Sequence, residues 1–131
     1  MKSIAFICTH NSCRSQIAEI FCKKYCSDFL KSYSAGTNPS TKVNEDAIRL
    51  MKTYYNLDLS SYNPKTLGEI PKVDIIITMG CNVQCPIIPC SYSEDWGIED
   101  PTNMDDDCFL EIIKSIKNKV KLLNNLVEKM S

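Results

Sequence analysis

The chain has 131 residues, of which 44% are hydrophobic and 24% charged, and its formal net charge is −1. This length suits one domain with a substantial core and is too short for two ordinary ones, so we expect a single domain over residues 1–131. The balanced charge gives no electrostatic basis for nucleic-acid binding, and no apolar run approaches the roughly 18 residues that span a bilayer. Since no secretion signal precedes the first predicted strand, we expect a cytoplasmic protein, and nothing requires more than a monomer.

The predicted elements alternate between strands and helices, which is typical of an α/β domain with a parallel sheet. Apolar runs predict strands over 3–8, 73–79 and, although two prolines shorten it, 87–92, and a further short strand is predicted over 31–35. Helical spacing of apolar residues predicts helices over 14–27, 44–55 and 105–129. Asn44 is a plausible N-cap, and the irregular stretch 56–72 contains a short helical piece near Leu67.

The clearest chemical signal lies between the first strand and the first helix. Here a cysteine, five residues and an arginine run from Cys8 to Arg14. A turn at this place can direct backbone N–H groups at an anion, and the helix dipole favours negative charge, including that of a thiolate. Cys8 is therefore a candidate nucleophile, and the planar guanidinium of Arg14 can hold two oxygens of a tetrahedral anion. The residues expected to bind the oxyanion are Thr9, His10, Asn11, Ser12, Cys13 and Arg14.

The alternative for this loop is a buried cysteine followed by a solvated arginine. It is disfavoured because a cation in the first turn of a helix opposes the macrodipole unless an anion compensates it.

Asp100-Pro101 is a candidate source of the proton that a leaving group needs. Pro101 biases Asp100 away from helical geometry, so its carboxyl group can project from an extended loop. Such loops gather at the carboxyl ends of parallel strands, where Cys8 also lies. The neighbouring Glu99 leaves the choice of carboxylate open, and a simple turn before proline is the competing interpretation.

Eight cysteines in a chain without a secretion signal indicate redox or metal chemistry rather than a disulfide framework. Cys81, Cys85 and Cys90 follow the third strand in a segment that begins with turn-forming residues. Thiol–disulfide exchange requires each attacking sulfur to reach the next, which such a segment allows. The alternative is a zinc site, for which no fourth ligand is evident. The cysteines expected to serve core packing are Cys22, Cys26 and Cys108.

Four stretches together resemble the low-molecular-weight tyrosine phosphatase superfamily and, within it, the thioredoxin-coupled arsenate reductases. They are residues 8–16, 33–36, 85–89 and 96–101. The resemblance runs from Ile4 to the last helix. It implies a four-stranded, mostly parallel sheet flanked by helices on both faces.

The resemblance also implies the first chemical step. Cys8 would attack arsenate held by the loop amides and Arg14. Ser15 would hydrogen-bond the Cys8 thiolate, and Asn11 would hold the shape of the loop. Asp100 would protonate the leaving hydroxyl, and neither a metal nor another cofactor would be needed.

The later steps implied by the resemblance form a disulfide relay. Cys81 would attack Cys8 and release arsenite, and Cys85 would move the disulfide outward, where thioredoxin could reduce it. The segment between Cys81 and Cys85 is shorter than in related reductases, and the additional Cys90 could replace Cys85.

Two further departures from the family pattern affect the loop. His10 stands where relatives usually have glycine, so it must accept the local backbone geometry, and its side chain is expected to face solvent.

Some relatives hold potassium with residues matching Asn11, Glu19, Ser34 and a later acidic residue. That later position is Lys65 here, so we expect its ammonium group to neutralise Glu19 and activity to be independent of potassium.

A phosphatase that works through a phosphocysteine is the main alternative function, with an aryl phosphate or phosphotyrosine as substrate. Family phosphatases tend to place an aromatic residue after Asp-Pro, whereas this chain has Thr102-Asn103. Hydrolysis also leaves Cys81 and Cys85 without a role.

Overall fold

The computed structural model describes residues 1–80 and 88–130. Its strands are β1 (Lys2–Cys8), β2 (Leu30–Gly36), β3 (Ile75–Thr78) and β4 (Tyr92–Asp95). Its α-helices are α1 (Arg14–Tyr25), α2 (Glu45–Tyr55), α3 (Asp106–Lys121) and α4 (Leu123–Met130). A single-turn 3-10 helix covers Leu67–Glu69.

The four strands form one sheet in the order β2-β1-β3-β4, and every neighbouring pair is parallel. The register pairs Cys8 with Gly36, Ile7 with Thr78, and Thr78 with Asp95. The carboxyl ends of all four strands therefore lie along one edge, and the predicted α/β fold is confirmed.

Alternation along the buried strands divides the core between the two faces of the sheet. Ile4 and Phe6 of β1 face the larger cluster, which contains the buried side chains of α1, α2 and α3. Ala5 and Ile7 face a smaller cluster, against which Leu67 of the 3-10 helix packs. Within the described ranges, no helix is long and apolar enough to cross a bilayer.

The fourth strand lies later than its predicted place at 87–92, so that prediction is wrong. Pro89 has no N–H to give to a ladder, and Ile88 and Cys90 pack against the smaller cluster instead. The strand itself is Tyr92–Asp95, a mostly exposed edge strand whose polar residues gave no apolar signal.

The long predicted helix at 105–129 is divided in two, with Leu122 between α3 and α4. The break precedes Asn124 and Asn125, which are weak helix formers. Cys108, expected in the core, is exposed in the first turns of α3, whereas Cys22 and Cys26 are buried as predicted.

Candidate functional site

The loop from Cys8 to Arg14 is held from outside by the segment that follows β2. Four loop carbonyls accept hydrogen bonds from backbone N–H groups there: Cys8 from Thr37 (3.3 Å), Thr9 from Asn38 (2.8 Å), His10 from Ser40 (2.9 Å) and Ser12 from Asn44 (2.7 Å). In a planar trans peptide the N–H points away from the C=O. The N–H groups that share these four peptides are therefore turned toward the inside of the loop.

One of these inward N–H groups, that of Asn11, points at Cys8 Sγ at 3.3 Å. In the described part of the chain, the N–H groups of Thr9, His10 and Cys13 have no acceptor. Helix α1 begins at the end of the loop, and its first turn contains no acidic residue. The loop therefore presents unpaired amides and a positive helix end to the same space, which suits an anion.

Gly36 allows the loop to pass directly over the end of β2. A Cβ at this position would lie 2.6 Å from Thr9 O and 2.9 Å from Asn11 N, distances that no side chain tolerates. The glycine is thus needed for close approach between two backbones.

Cys8 Sγ lies at the floor of the loop and is 3% exposed as a residue. Ser15 Oγ is 2.8 Å from the sulfur, and Asn11 Nδ2 donates to the same Ser15 oxygen at 2.8 Å. Because Asn11 occupies an acceptor site of the hydroxyl, the Ser15 proton is free to point at Cys8. The hydroxyl can therefore donate a hydrogen bond to Cys8 Sγ.

Asn11 has a positive φ of 51°, a conformation that asparagine tolerates better than most residues. Its Oδ1 accepts hydrogen bonds from Gln16 Nε2 at 3.0 Å and from Lys65 N at 2.8 Å. Gln16 Nε2 also donates to Asn11 O and to Asn63 O. Gln16 thus fastens the loop to the segment near Lys65, a task that its place in the motif did not reveal.

His10 is exposed, as predicted, and its Nδ1 lies 3.1 Å from Asn38 O. The positive φ of the loop falls on Asn11 rather than on His10, so a histidine fits at position 10 without strain in the left-handed region. Burial raises the pKa of the neighbouring Cys13 thiol, and the charge of Asp100 raises it further. Cys13 therefore remains a protonated thiol beside the nucleophile.

Arg14 is 9% exposed and one edge of its guanidinium is already engaged. Nη1 donates to Met79 O at 2.7 Å and to Ile98 O at 2.8 Å. The arginine therefore ties the residue after β3 to the loop that carries Asp100. Its other nitrogens have no acceptor among the described residues, so N–H groups remain for an anion.

Asp100 is exposed in the loop after β4 and accepts hydrogen bonds from Thr102 N at 3.0 Å and Thr102 Oγ1 at 2.7 Å. Partial burial acts to raise the pKa of Asp100, but the bonds from Thr102 lower it and prevail. The positive charges of Arg14 and His10 lower this pKa further. An anion bound in the loop would act in the opposite sense and favour protonation of Asp100.

Glu19 is a buried carboxylate behind the loop. Lys23 Nζ lies 2.6 Å from Glu19 Oε2, Lys65 Nζ lies 3.9 Å from Oε1, and Ser34 Oγ donates to Oε1. The predicted lysine is near Glu19, but the shorter ion pair is with Lys23, which the sequence interpretation missed. The spacing of four residues between Glu19 and Lys23 on α1 could have revealed this ion pair.

Cys81 and Cys85, the predicted relay cysteines, lie outside the described residues. Cys90 is half-buried against the smaller core cluster. Among residues 1–80 and 88–130, no three His, Cys, Asp or Glu side chains are grouped so as to hold a metal ion.

The family model for low molecular weight phosphotyrosine protein phosphatases matches residues 3–131. The chain belongs to this family. The chain is 35% identical over 125 residues to arsenate reductase 1 of Staphylococcus epidermidis, a match that covers 92% of this chain and 93% of that protein.

Solved structures share this fold, and two of them are compared with the chain below. One is an arsenate reductase in its phosphate-binding state, with a TM-score of 0.84, 31% identity and full coverage of both chains. The other is a thioredoxin-dependent arsenate reductase of Corynebacterium glutamicum, with a TM-score of 0.78 and 26% identity over all of this chain and 64% of that one.

Proposed function

We propose that the chain is an arsenate reductase that converts arsenate to arsenite through a covalent adduct on Cys8. The observation that carries the proposal is the placement of Cys8 Sγ, which contacts Ser15 Oγ at 2.8 Å and Asn11 N at 3.3 Å at the base of a loop of inward amides. We propose arsenate, rather than another tetrahedral anion, as the substrate because the similar proteins are named arsenate reductases.

In the first step, the Cys8 thiolate forms an S–As bond with arsenate. The loop amides and the free edge of Arg14 hold the other oxygens of the anion. One arsenate hydroxyl takes a proton from Asp100 and leaves as water.

In the second step, the Cys81 thiolate attacks Cys8 Sγ. An S–S bond forms and the S–As bond breaks, and its electron pair passes to arsenic, which leaves as arsenite. The two sulfurs thereby supply both electrons. Cys85 then attacks Cys81, frees Cys8 and leaves a Cys81–Cys85 disulfide, with Cys90 as the alternative final cysteine.

The remaining disulfide requires an external dithiol, for which we propose a thioredoxin-type protein in the cytoplasm. A solved structure with the same fold is a thioredoxin-dependent enzyme, which supports this partner. The reaction then needs no resident cofactor, and a monomer contains every residue that it uses.

A phosphatase activity is the second candidate, because phosphate is also a tetrahedral oxyanion and the family includes phosphotyrosine phosphatases. Cys8, Arg14 and Asp100 suffice for hydrolysis through a phosphocysteine. Thr102, which bonds to Asp100, offers no aromatic surface for a phosphotyrosine ring.

A paired assay separates the two functions. Arsenate reduction with thioredoxin, thioredoxin reductase and NADPH is compared with aryl phosphate hydrolysis for the wild type and for Cys8→Ser, Cys81→Ser and Cys85→Ser. We expect all three variants to lose arsenate turnover and only Cys8→Ser to lose hydrolysis. Cys108→Ser, a change at an exposed cysteine on α3, serves as the matched control and should retain both.

Arsenate turnover retained by both Cys81→Ser and Cys85→Ser would refute the relay. Hydrolysis by a wild type that does not reduce arsenate would favour the phosphatase.

A further inference from the structure

Asp95, the last residue of β4, is bonded to the end of the neighbouring strand. Its Oδ1 accepts a hydrogen bond from Thr78 Oγ1 at 2.7 Å and another from Gly80 N at 2.8 Å. Thr78 is the last residue of β3, and Gly80 is bonded covalently to Cys81. One carboxylate oxygen thus holds the backbone at the point where the chain departs toward Cys81.

Gly80 is confined on its other sides as well. Its φ is +92°, which side-chain-bearing residues rarely adopt, and a Cβ there would lie 2.9 Å from Ile98 O. The preceding residue, Met79, accepts the hydrogen bond from Arg14 Nη1 at 2.7 Å. Asp95 is the side chain that completes this confinement, because the other contacts come from backbone and from Arg14.

We propose that Asp95 is a positioning residue for the second chemical step, the attack of Cys81 on Cys8. A carboxylate is a stronger acceptor of an N–H hydrogen bond than a neutral group, so Asp95 holds the backbone of Gly80, the residue to which Cys81 is bonded. Attack on sulfur requires a close and aligned approach of the two sulfur atoms. A small displacement of Gly80 should therefore lower the rate at which Cys81 attacks Cys8.

The first chemical step makes no direct use of this contact. In the described part of the chain, the hydrogen bonds of Asp95 go to Thr78 and Gly80 and not to the anion loop or to Asp100. Removing its carboxylate should therefore separate the two activities: hydrolysis uses only the first step, and arsenite release needs both. The inference rests on the proposed function.

The test uses Asp95→Ala, Asp95→Asn and the control Glu94→Ala. Glu94 is the adjacent exposed carboxylate, and it bonds Tyr92 Oη and Trp96 Nε1 rather than the end of β3. The measurements are arsenite release in a single turnover without reductant, steady-state hydrolysis of p-nitrophenyl phosphate, and Tm.

For Asp95→Ala we expect arsenite release to slow roughly tenfold while the kcat/KM of hydrolysis stays within about twofold of the wild type. Asp95→Asn keeps an oxygen acceptor for Gly80 N and should recover most of the rate. Glu94→Ala should match the wild type in both reactions.

Unchanged arsenite release in Asp95→Ala, or an equal loss of both activities together with a lower Tm, would overturn the inference. An equal loss with Glu94→Ala would also overturn it. A wild type that hydrolyses p-nitrophenyl phosphate but releases no arsenite would instead overturn the proposed function, and the inference with it.

Discussion

Ser15 Oγ lies 2.8 Å from Cys8 Sγ, and Asn11 Nδ2 donates to that same hydroxyl oxygen. The side-chain amide sets the direction of the hydroxyl proton, which is left to face the sulfur. A serine placed in this way acts on the nucleophile without contacting the substrate.

Ser15→Ala removes this donor to the Cys8 thiolate. A hydrogen bond to a charged group contributes about 1.5–3 kcal/mol, so we expect kcat/KM for aryl phosphate hydrolysis to fall at least about tenfold. Alkylation of Cys8 by iodoacetamide at neutral pH should slow in parallel, and mass spectrometry of the labelled peptide measures it. Ser40→Ala, which alters an exposed side chain and keeps its backbone bond to the loop, is the control. Equal alkylation rates in Ser15→Ala and wild type would contradict this role.

Thr102→Val tests the environment of Asp100. The Thr102 hydroxyl stabilises the ionised carboxyl group, so its loss should raise the pKa of Asp100. The proton donor must be protonated to act, and kcat/KM reports the free enzyme. The descending limb of the pH profile for aryl phosphate hydrolysis should therefore move to higher pH.

Thr102→Ser retains a hydroxyl and should leave that limb in place. A shift toward lower pH in Thr102→Val would exclude the proposed link between this bond and the proton donor.

Lys23→Gln tests the ion pair with Glu19. Burial acts to lower the pKa of Lys23, but the Glu19 carboxylate raises it and prevails. A lysine pKa that is raised on folding contributes stability below its unfolded value near 10.4, and this contribution is lost as pH rises through the folded pKa. The pair therefore stabilises the fold at neutral pH. Since the Lys23 side chain is 50% exposed, we expect the variant to lose about 1 kcal/mol in urea unfolding.

The neighbouring Lys24→Gln provides the control for Lys23→Gln.

In the wild type, Lys23 and Lys65 already supply positive charge to Glu19, so potassium and sodium at equal ionic strength should give the same Tm and activity. A clear gain with potassium would show that the two ammonium groups do not take the place of a bound cation.

Gly36→Ala should disturb the loop as a whole. Its Cβ would meet Thr9 O and Asn11 N inside contact distance, and backbone atoms cannot move aside as a flexible side chain can. We expect both activities to fall more than about tenfold, with a lower Tm. Gly68→Ala is the matched control, because the nearest atom to its Cβ would be 4.0 Å away. Full activity in Gly36→Ala would mean that the loop tolerates displacement.

The parts of the site that were predictable from sequence lie in short continuous stretches. Cys8 ends β1, and Arg14 and Ser15 begin α1, so their order along the chain already specifies where they lie relative to one another. The carbonyls of Met79 and Ile98 that hold Arg14 carry no sequence signal, because any residue has a carbonyl. Asp95 was missed for a related reason, since the apolar run at 87–92 placed the fourth strand too early and hid the strand end to which Asp95 belongs.

The backbone hydrogen bonds that hold the anion loop from outside limit how the sequence of the supporting stretch can change among related enzymes. The residues from Thr37 to Asn44 hold the loop through backbone N–H groups, so most substitutions of their side chains should leave the site intact. A deletion or insertion of one residue between Thr37 and Asn44 would shift which N–H group meets which carbonyl. The exposed positions of this stretch should therefore vary in composition among working enzymes, while its length should hardly vary at all.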